Sequence, residues 1–597
     1  MLLPSSGVWM VSEGRQPGRS REMSFSVRVD KNVDVPMGDG VVLRADVYRP
    51  AQEGTFPVLV QRTPYNKEMW LVVAPTLDPV RAAAAGFVVV IQDVRARWAS
   101  EGEVFFPYRD EEPDCADTIA WAAAQPWSAG VVGCYGLSYM GGNTWLGAAS
   151  GHPSLRAISP TTAPNSFYQN NFWRDGVMQL ATVISWALRL IGPAALIRSG
   201  KQLPELGARL AELADALDGF DALVREQPLN ALSAGHKEDE AFIPFLYELM
   251  KHPVPDEWTD SILFNDRHES VKVPALIIAG WYDMLLGADL QHYRGMRERG
   301  GTELARENTR MIIGPWSHAM FLNMVGQVDF GFRSSGLFMD LKEDLTTLQL
   351  RWFKRWLCDE ETGIDQDARV KVFVQGVNRW QDEDDWPPER MRLTPWYLGA
   401  DGRFGSALPS ADEKPDSYVY DPQDPCPTCG GTLLMPPQYT PGPVDQAPVM
   451  GRRDVLVYTS APLEQDLKLM GPVRARLFAS TSAPDTDWVI KLCEVGADGK
   501  TMNVCDGVVR ASYQCARSGQ TFTPGEVVEW QLDMLATAIV IGAGLRLRVL
   551  VSSSDFPRYD RNPNTGEPAA EASTTVSALQ RVYHNERYPS QIILPVV

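Results

Sequence analysis

The sequence predicts an α/β domain interrupted by a helical insertion and followed by an all-β sandwich. Three features carry that prediction. Short continuous apolar runs alternate with helical stretches up to Pro160 and again from Val273 to Leu357, a long stretch between them lacks any strand pattern, and from Arg379 onward the chain turns to Pro, Gly, Trp and short alternating strands. Runs apolar at every position suit strands covered on both faces, whereas alternation suits strands with one wet face. At 597 residues the chain is too long for one hydrophobic core. The expected divisions are a disordered extension over 1–23, an α/β domain in two pieces at 24–165 and 265–378, a helical insertion at 166–264 and a β domain at 379–597.

In chain order, Val27-Arg-Val29 and Val41 to Tyr48 alternate around a Gly-Asp-Gly turn and predict a hairpin. Phe56–Val60 and Phe87–Ile91 are apolar throughout and predict parallel strands, with a helix over Asp78–Ala85 between them. A further helix runs from Asp110 to Ala124, and Val131–Leu137 is the next strand. In the insertion, Leu206, Leu210, Leu213, Leu217 and Phe220 recur at spacings of four and three, the core face of a helix beginning near Pro204. The sheet resumes with Val273–Gly280 and Thr309–Gly314, and a long helix follows over Leu341–Leu357. Trp396 to Leu398, Val455–Tyr458, Val473–Phe478, Trp488–Leu492 and Leu545–Val551 are the short strands of the β domain.

The chemistry centres on Gly136-Leu-Ser138-Tyr139-Met140-Gly141, a sharp turn between a strand and a small-residue helix. Such an elbow lifts a serine oxygen clear of the chain and aims backbone N–H groups beside it. The usual G-x-S-x-G has glycine two residues after the serine; here that residue is Met140, with Gly141 one later. A serine needs a histidine to take its proton and a carboxylate to hold the ring, each on a loop after a strand. Of seven histidines, His152 is too close to the elbow, His236 and His252 belong to the insertion, His268 precedes the next strand, His292 falls mid-helix and His584 lies in the β domain. That leaves His318. Asp283 ends the strand before that of His318, while Asp289 lies a turn into the following helix, so Asp283 is the favoured acid.

Composition limits the partners. With 56 basic and 75 acidic residues the net charge of −19 argues against nucleic acid or an anionic membrane as the main partner. No run of 18 apolar residues exists, residues 1–22 make a poor signal peptide, Met23 is a candidate start, and a cytoplasmic location follows as the default. Eight irregularly spaced cysteines do not form a disulfide framework. Cys426 and Cys429 have metal-ligand spacing but no second pair or nearby histidine, so a surface loop is expected there and no metal or other cofactor.

Read together, Arg62-Thr-Pro-Tyr65, Gln92-Asp-Val-Arg95 with Ser100-Glu-Gly102, the elbow, Gly280-Trp-Tyr-Asp283, Gly314-Pro-Trp-Ser-His318, Gly471-Pro-Val and Ser552 to Arg558 resemble, in order, the CocE/NonD hydrolases. These are cocaine esterase-like enzymes related to α-amino acid ester hydrolases and X-Pro dipeptidyl peptidases. The resemblance implies an α/β-hydrolase domain with a helical cap and a C-terminal jelly roll, and it accounts for the glycine at Gly141. It also implies an oxyanion hole made by the Tyr65 hydroxyl and the Tyr139 backbone N–H. The amino acid ester branch places two acids at the second and third positions after the triad Asp; here these are Leu285 and Leu286, which disfavours recognition of a free α-amine. Phe172, Trp173 and Trp186 fall where cocaine esterase-like caps supply aromatics, and Leu285 would line the same pocket. The implied substrate is a small ester with an aromatic or bulky apolar acyl group, with amides, acylated β-lactam precursors and X-Pro peptides as alternatives and a non-catalytic lectin-like role last. A homodimer stays open.

Overall fold

The computed structural model describes residues 8–9, 24–168, 171–234 and 243–597. The extension expected to be disordered over 1–23 lies outside the described residues except for Val8–Trp9, a two-residue strand on the edge of the first sheet, and His236 also lies outside them. That sheet has eleven strands. In chain order its principal members are β1 (Val27–Pro36), β2 (Val42–Pro50), β3 (Phe56–Thr63), β4 (Val88–Asp93), β5 (Ser128–Leu137), β6 (Leu155–Thr161), β7 (Leu276–Tyr282), β8 (Arg310–Ser317), β9 (Val370–Val374) and β10 (Arg379–Glu383). Spatially they run β1-β2-β4-β3-β5-β6-β7-β8-β9-β10. Strands β4 through β9 are parallel neighbours, and the antiparallel β1, β2 and β10 flank them. Strand order reverses between β3 and β5. Ligands of open α/β sheets collect outside the carboxyl ends of strands at such a reversal, and here those ends lead into Tyr65 and Ser138.

The helices that cover the sheet follow from local sequence. α1 (Pro79–Ala84) starts with proline in its first turn, and the Asp78 side chain accepts the Val80 and Arg81 N–H groups. α2 (Glu111–Ala123) and α3 (Tyr139–Ala149) pack on each other. The Leu341–Leu357 helix is observed as Leu345–Leu357, because Asp344 caps it by accepting the Thr347 N–H at 2.7 Å.

Between β6 and β7 the chain is mainly helical, with two departures from expectation. Trp173–Arg174 and Val177–Met178 pair as a hairpin, whose two-residue strands are too short to leave a periodic pattern. In α4 (Leu203–Asp218) only Leu213 is fully buried, while Leu206, Leu210 and Leu217 are half-buried, since this helix lies at the rim of the insertion. The continuous helical run Leu180–Arg198, whose charges are Arg189 and the terminal Arg198, is long and apolar enough to cross a membrane. Yet 72% of its apolar window is buried inside the protein, as in the core helix of a packed domain.

The C-terminal domain is built on a second, mostly antiparallel array of twelve strands. Its central strand, Leu467–Thr481, pairs with Val528–Ile541, Ala578–Asn585 and Gln591–Val596. Trp488, Trp530, Leu477 and Val549 are among the buried residues of a core separate from that of the first sheet. The expected boundary at 378/379 falls inside the β9–β10 hairpin: Arg379–Glu383 belongs to the first sheet. Arg379–Glu383 is an edge strand of that sheet, antiparallel to β9, rather than a strand of the β domain. The expected surface loop at Cys426 and Cys429 is also overturned. Both side chains are buried beside Cys493, and the Cys429 thiol donates to the Asp445 carbonyl at 3.3 Å. Burial pushes the Cys426 thiol up to about 12; among the described residues no group of three or more His, Cys, Asp or Glu could hold a metal.

Candidate active site

Ser138 joins β5 to α3 with φ 61° and ψ −122°, a backbone region that a non-glycine residue occupies only under constraint. The constraint is visible. The Ser138 N–H donates to Thr161 O at 2.9 Å, and Gly142 N–H donates back to Ser138 O at 3.0 Å. A methyl group on Gly136 would sit 2.5 Å from the Met140 carbonyl, and one on Gly141 would sit 2.9 Å from Ala163 Cβ. The glycine that α3 needs is therefore the one that passes the end of β6, three residues after the serine. Met140 packs into the core instead, 1% exposed.

His318 follows β8 and Asp283 follows β7. The loops bring them to the serine: His318 Nε2 lies 2.9 Å from Ser138 Oγ, and His318 Nδ1 lies 2.9 and 3.1 Å from the two Asp283 oxygens. Asp283 is fully buried and also accepts the Leu285 N–H at 2.8 Å. Asp289 points elsewhere. Its Oδ1 accepts the Ala163 N–H at 2.9 Å, bracing the loop after β6, and burial pushes its carboxyl well above the usual range. Of the other histidines, His268 and His292 form a buried pair behind Trp145, and His584 pairs with Asp416 and Glu413 in the β domain.

Tyr65 is buried two residues beyond β3, and its hydroxyl lies within reach of Ser138 and accepts the Trp186 indole N–H at 2.9 Å. Burial pushes that phenol up to about 12, so it is a protonated donor at neutral pH. The Tyr139 ring points away from the serine oxygen. Its hydroxyl donates to Glu111 Oε1 at 2.8 Å and accepts the Tyr108 N–H at 3.0 Å, and Glu111 is ion-paired to buried Arg62. Tyr139 stacks on Tyr108 at 4.1 Å. This ring anchor leaves the Tyr139 backbone N–H at the start of α3 beside Ser138. Arg62 stands in the sequence only as the first residue of the Arg62-Thr-Pro-Tyr65 motif, and nothing in the spacing of Glu111 and Tyr108 marks a network with it across three elements.

Phe172 and Trp186 meet at 5.5 Å, and Trp186 also meets Phe245 at 5.5 Å and stacks on Tyr139 at 6.4 Å. Trp186 links this group to the Tyr65 hydroxyl, to which its indole N–H donates. Trp173 is buried in the same apolar cluster as Phe172 and Trp186, although among the described residues it makes no ring contact with either, and the next residue, Arg174, reaches Asp506 of the β domain. Leu285 is buried but stands outside the apolar cluster that contains Phe172 and Trp186, because its N–H is tied back to Asp283 at the start of a helix.

Residues 39–320 match the X-Pro dipeptidyl-peptidase (S15) family, and residues 362–593 match its C-terminal non-catalytic domain. The chain is 36% identical to the cocaine esterase of Rhodococcus sp. (strain MB1 Bresler) over 583 residues, covering 95% of this chain and 98% of that one. It belongs to the CocE/NonD family of serine hydrolases. Carboxylic ester hydrolysis is accordingly the activity class of this CocE/NonD hydrolase. The fold recurs in an aminopeptidase from a marine-sediment Thaumarchaeota archaeon, with a TM-score of 0.77, 25% identity and coverage of 98% and 99% of the two chains. It recurs as well in an α-amino acid ester hydrolase, with a TM-score of 0.75, 23% identity and 98% coverage of both. An α/β-hydrolase-type domain followed by a β-rich non-catalytic domain is thus the architecture this hydrolase shares with them.

Proposed function

We propose that Ser138, His318 and Asp283 form a catalytic triad that cleaves carboxylic esters with an aromatic or bulky apolar acyl group. The observation that carries this is the unbroken contact chain from Ser138 Oγ through the imidazole to Asp283, assembled from three loops at one end of a parallel sheet. His318 Nε2 takes the serine proton as Oγ attacks the ester carbonyl, while Nδ1–H donates to Asp283 and holds the ring in that tautomer. The oxyanion rests on the Tyr65 hydroxyl and the Tyr139 N–H. The imidazolium then protonates the leaving alcohol, and water attacks the acyl enzyme by the same route in reverse. The helical segment acts as a cap whose Phe172 and Trp186 face the acyl group, and the β domain is a jelly roll. Leu285 and Leu286 put no carboxylate next to Asp283, which supports an uncharged acyl group. Replacing Ser138 by Ala should abolish labelling by a fluorophosphonate; retained labelling would remove Ser138 from the role.

The S15 match and the archaeal aminopeptidase favour a second reading, an amidase or X-Pro-type peptidase working with the same residues. Comparing p-nitrophenyl benzoate with Gly-Pro p-nitroanilide separates the two. Faster hydrolysis of the anilide would make the peptidase reading the right one.

A further inference from the structure

Arg97 is fully buried, yet among the described residues it has no carboxylate within ion-pair distance. Its guanidinium instead donates to three backbone carbonyls: Nε to Pro64 O at 2.9 Å, Nη1 to Ile191 O at 2.9 Å and Nη2 to Leu190 O at 3.1 Å. It lies over the rings of Phe105 at 5.1 Å and Trp98 at 5.7 Å. A buried cation without an anion is costly, and the backbone that points it inward is itself constrained, since Ala96 and Trp98 on either side have φ of 57° and 44°. Two strained residues and an unpaired cation next to a reaction centre call for a functional explanation.

The three carbonyls supply one. Pro64 immediately precedes Tyr65, and its carbonyl also accepts the Trp98 indole N–H at 2.9 Å. Leu190 and Ile191 close the single π-helical turn Trp186–Ile191, the turn that begins with the residue whose indole N–H reaches the Tyr65 hydroxyl. One rigid planar fork therefore holds both backbones of the Trp186–Tyr65 hydrogen bond. The direction of that bond matters. An indole N–H can only donate, so it occupies a lone pair on the phenol oxygen and leaves the phenol proton to point elsewhere. A hydrogen bond accepted by a hydroxyl also strengthens the one it donates.

We propose that Trp186 and Arg97 are positioning residues of the oxyanion hole: Trp186 turns the Tyr65 hydroxyl so that its proton faces the oxygen beside Ser138, and Arg97 clamps the two segments that make this possible. The inference rests on the reading of Tyr65 as an oxyanion donor. Neither residue touches the reacting atoms through the groups invoked here.

The test uses the full-length enzyme with p-nitrophenyl acetate, whose small acyl group makes little demand on the aromatic pocket. Trp186→Phe keeps the ring and removes only the N–H. It should lower kcat about tenfold, a fraction of the hundredfold or more lost with an oxyanion donor itself, and leave KM within about threefold. In a Tyr65→Phe background the same change should cost less than about twofold, because the hydroxyl it orients is gone. Arg97→Lys, which keeps the charge but cannot hold three carbonyls in one plane, should lower kcat by a similar factor that does not multiply with that of Trp186→Phe. An unchanged kcat in Trp186→Phe, or an equal loss with and without the Tyr65 hydroxyl, overturns the proposal. Should Trp186→Phe fail to fold, Arg97→Lys with and without Tyr65→Phe decides by the same criterion. If Tyr65→Phe alone leaves kcat unchanged, the reading of Tyr65 fails, and that single variant distinguishes this failure from one confined to Trp186 and Arg97.

Discussion

At the scale of single residues, the site depends on which groups are held and by what. Asp283 is held twice, by the imidazole and by the Leu285 N–H, and has no water-facing oxygen. Asp283→Asn should preserve folding, because the amide oxygen can still accept the Leu285 N–H, yet it would stabilise the wrong imidazole tautomer. Turnover of an aryl ester should fall by about four orders of magnitude, with the melting temperature little changed in a thermal scan. The same reasoning separates the two aspartates that sequence order alone could not separate decisively. Both follow β7 within seven positions, and only the direction of the Asp289 side chain, toward Ala163, takes it out of the serine's contacts.

At the scale of elements, the elbow and the buried histidine pair each carry a prediction. Gly141 lets α3 pass the end of β6 with no room for a methyl group. Gly141→Ala should therefore cost about 1 to 3 kcal/mol of stability, read from urea denaturation, and slow fluorophosphonate labelling by displacing Ser138. Behind α3, His292 stacks on Trp145 at 4.1 Å and sits 3.2 Å from His268. His268 Nδ1 faces both the Arg299 guanidinium at 3.2 Å and the Asp266 carbonyl at 3.1 Å, His268 Nε2 faces His292 Nδ1, and His292 Nε2 faces Pro164 O at 3.4 Å. Burial holds both rings below the ordinary histidine value, which favours their neutral forms. In the unfolded chain they bind protons below pH about 6.5, and in the folded chain they do not. Stability is then full above that pH and should fall as pH drops through 6 and 5, by at most about 1.4 kcal/mol per unit per ring. His268→Gln should make the slope shallower in urea melts at pH 7, 6 and 5, and an unaltered slope would place the titration elsewhere.

At the scale of the molecule, the two domains are joined by polar groups out of reach of water. Arg174, in the hairpin before the helical segment, donates to Asp506 Oδ1 at 2.7 Å and to Tyr559, and Arg558 donates to Asp506 Oδ2 at 2.8 Å. Burial alone would raise the Asp506 carboxyl, but Arg558 and Arg174 outweigh it and hold it well below the usual range. The Gln375 N–H donates to Ala538 O, Val540 N–H donates back to Gln375 O, and the Tyr282 hydroxyl donates to Gln375 Oε1 at 2.7 Å one residue before Asp283. The β domain thus supports the loop that carries the acid. Asp506→Asn leaves the buried Arg174 guanidinium without its ion-pair partner and Arg558 with Asp555 alone at 3.5 Å, and should cost about 3 to 5 kcal/mol, seen in calorimetry as a lower transition temperature. If the transition does not move, the Arg174–Asp506–Arg558 cluster is not what holds the domains together.

How much of this was legible in the chain depended on how local each signal was. Continuous runs such as Val88–Ile91 and Leu276–Ala279 read as buried strands, and Ser138, Asp283 and His318 each stand where such a strand ends, a placement that favoured them over candidates such as Asp289. The β10 edge strand, the hairpin at Trp173 and the buried Cys426–Cys429 segment were misread because the partner that decides each lies far away in sequence. The same holds for Leu285, which fits a pocket by type but stands outside the cluster that holds Phe172 and Trp186.

The sequence by itself determined the reaction class, since the elbow and the two strand-end loops are short-range patterns that the sheet can present in only one way. The tertiary structure alone decided which aromatic rings gather at Trp186, and that Trp186 and Arg97 converge on Tyr65 and the residue before it. Those contacts span up to 121 residues for Trp186–Tyr65. Their geometry comes from packing across the insertion, which no local periodicity records.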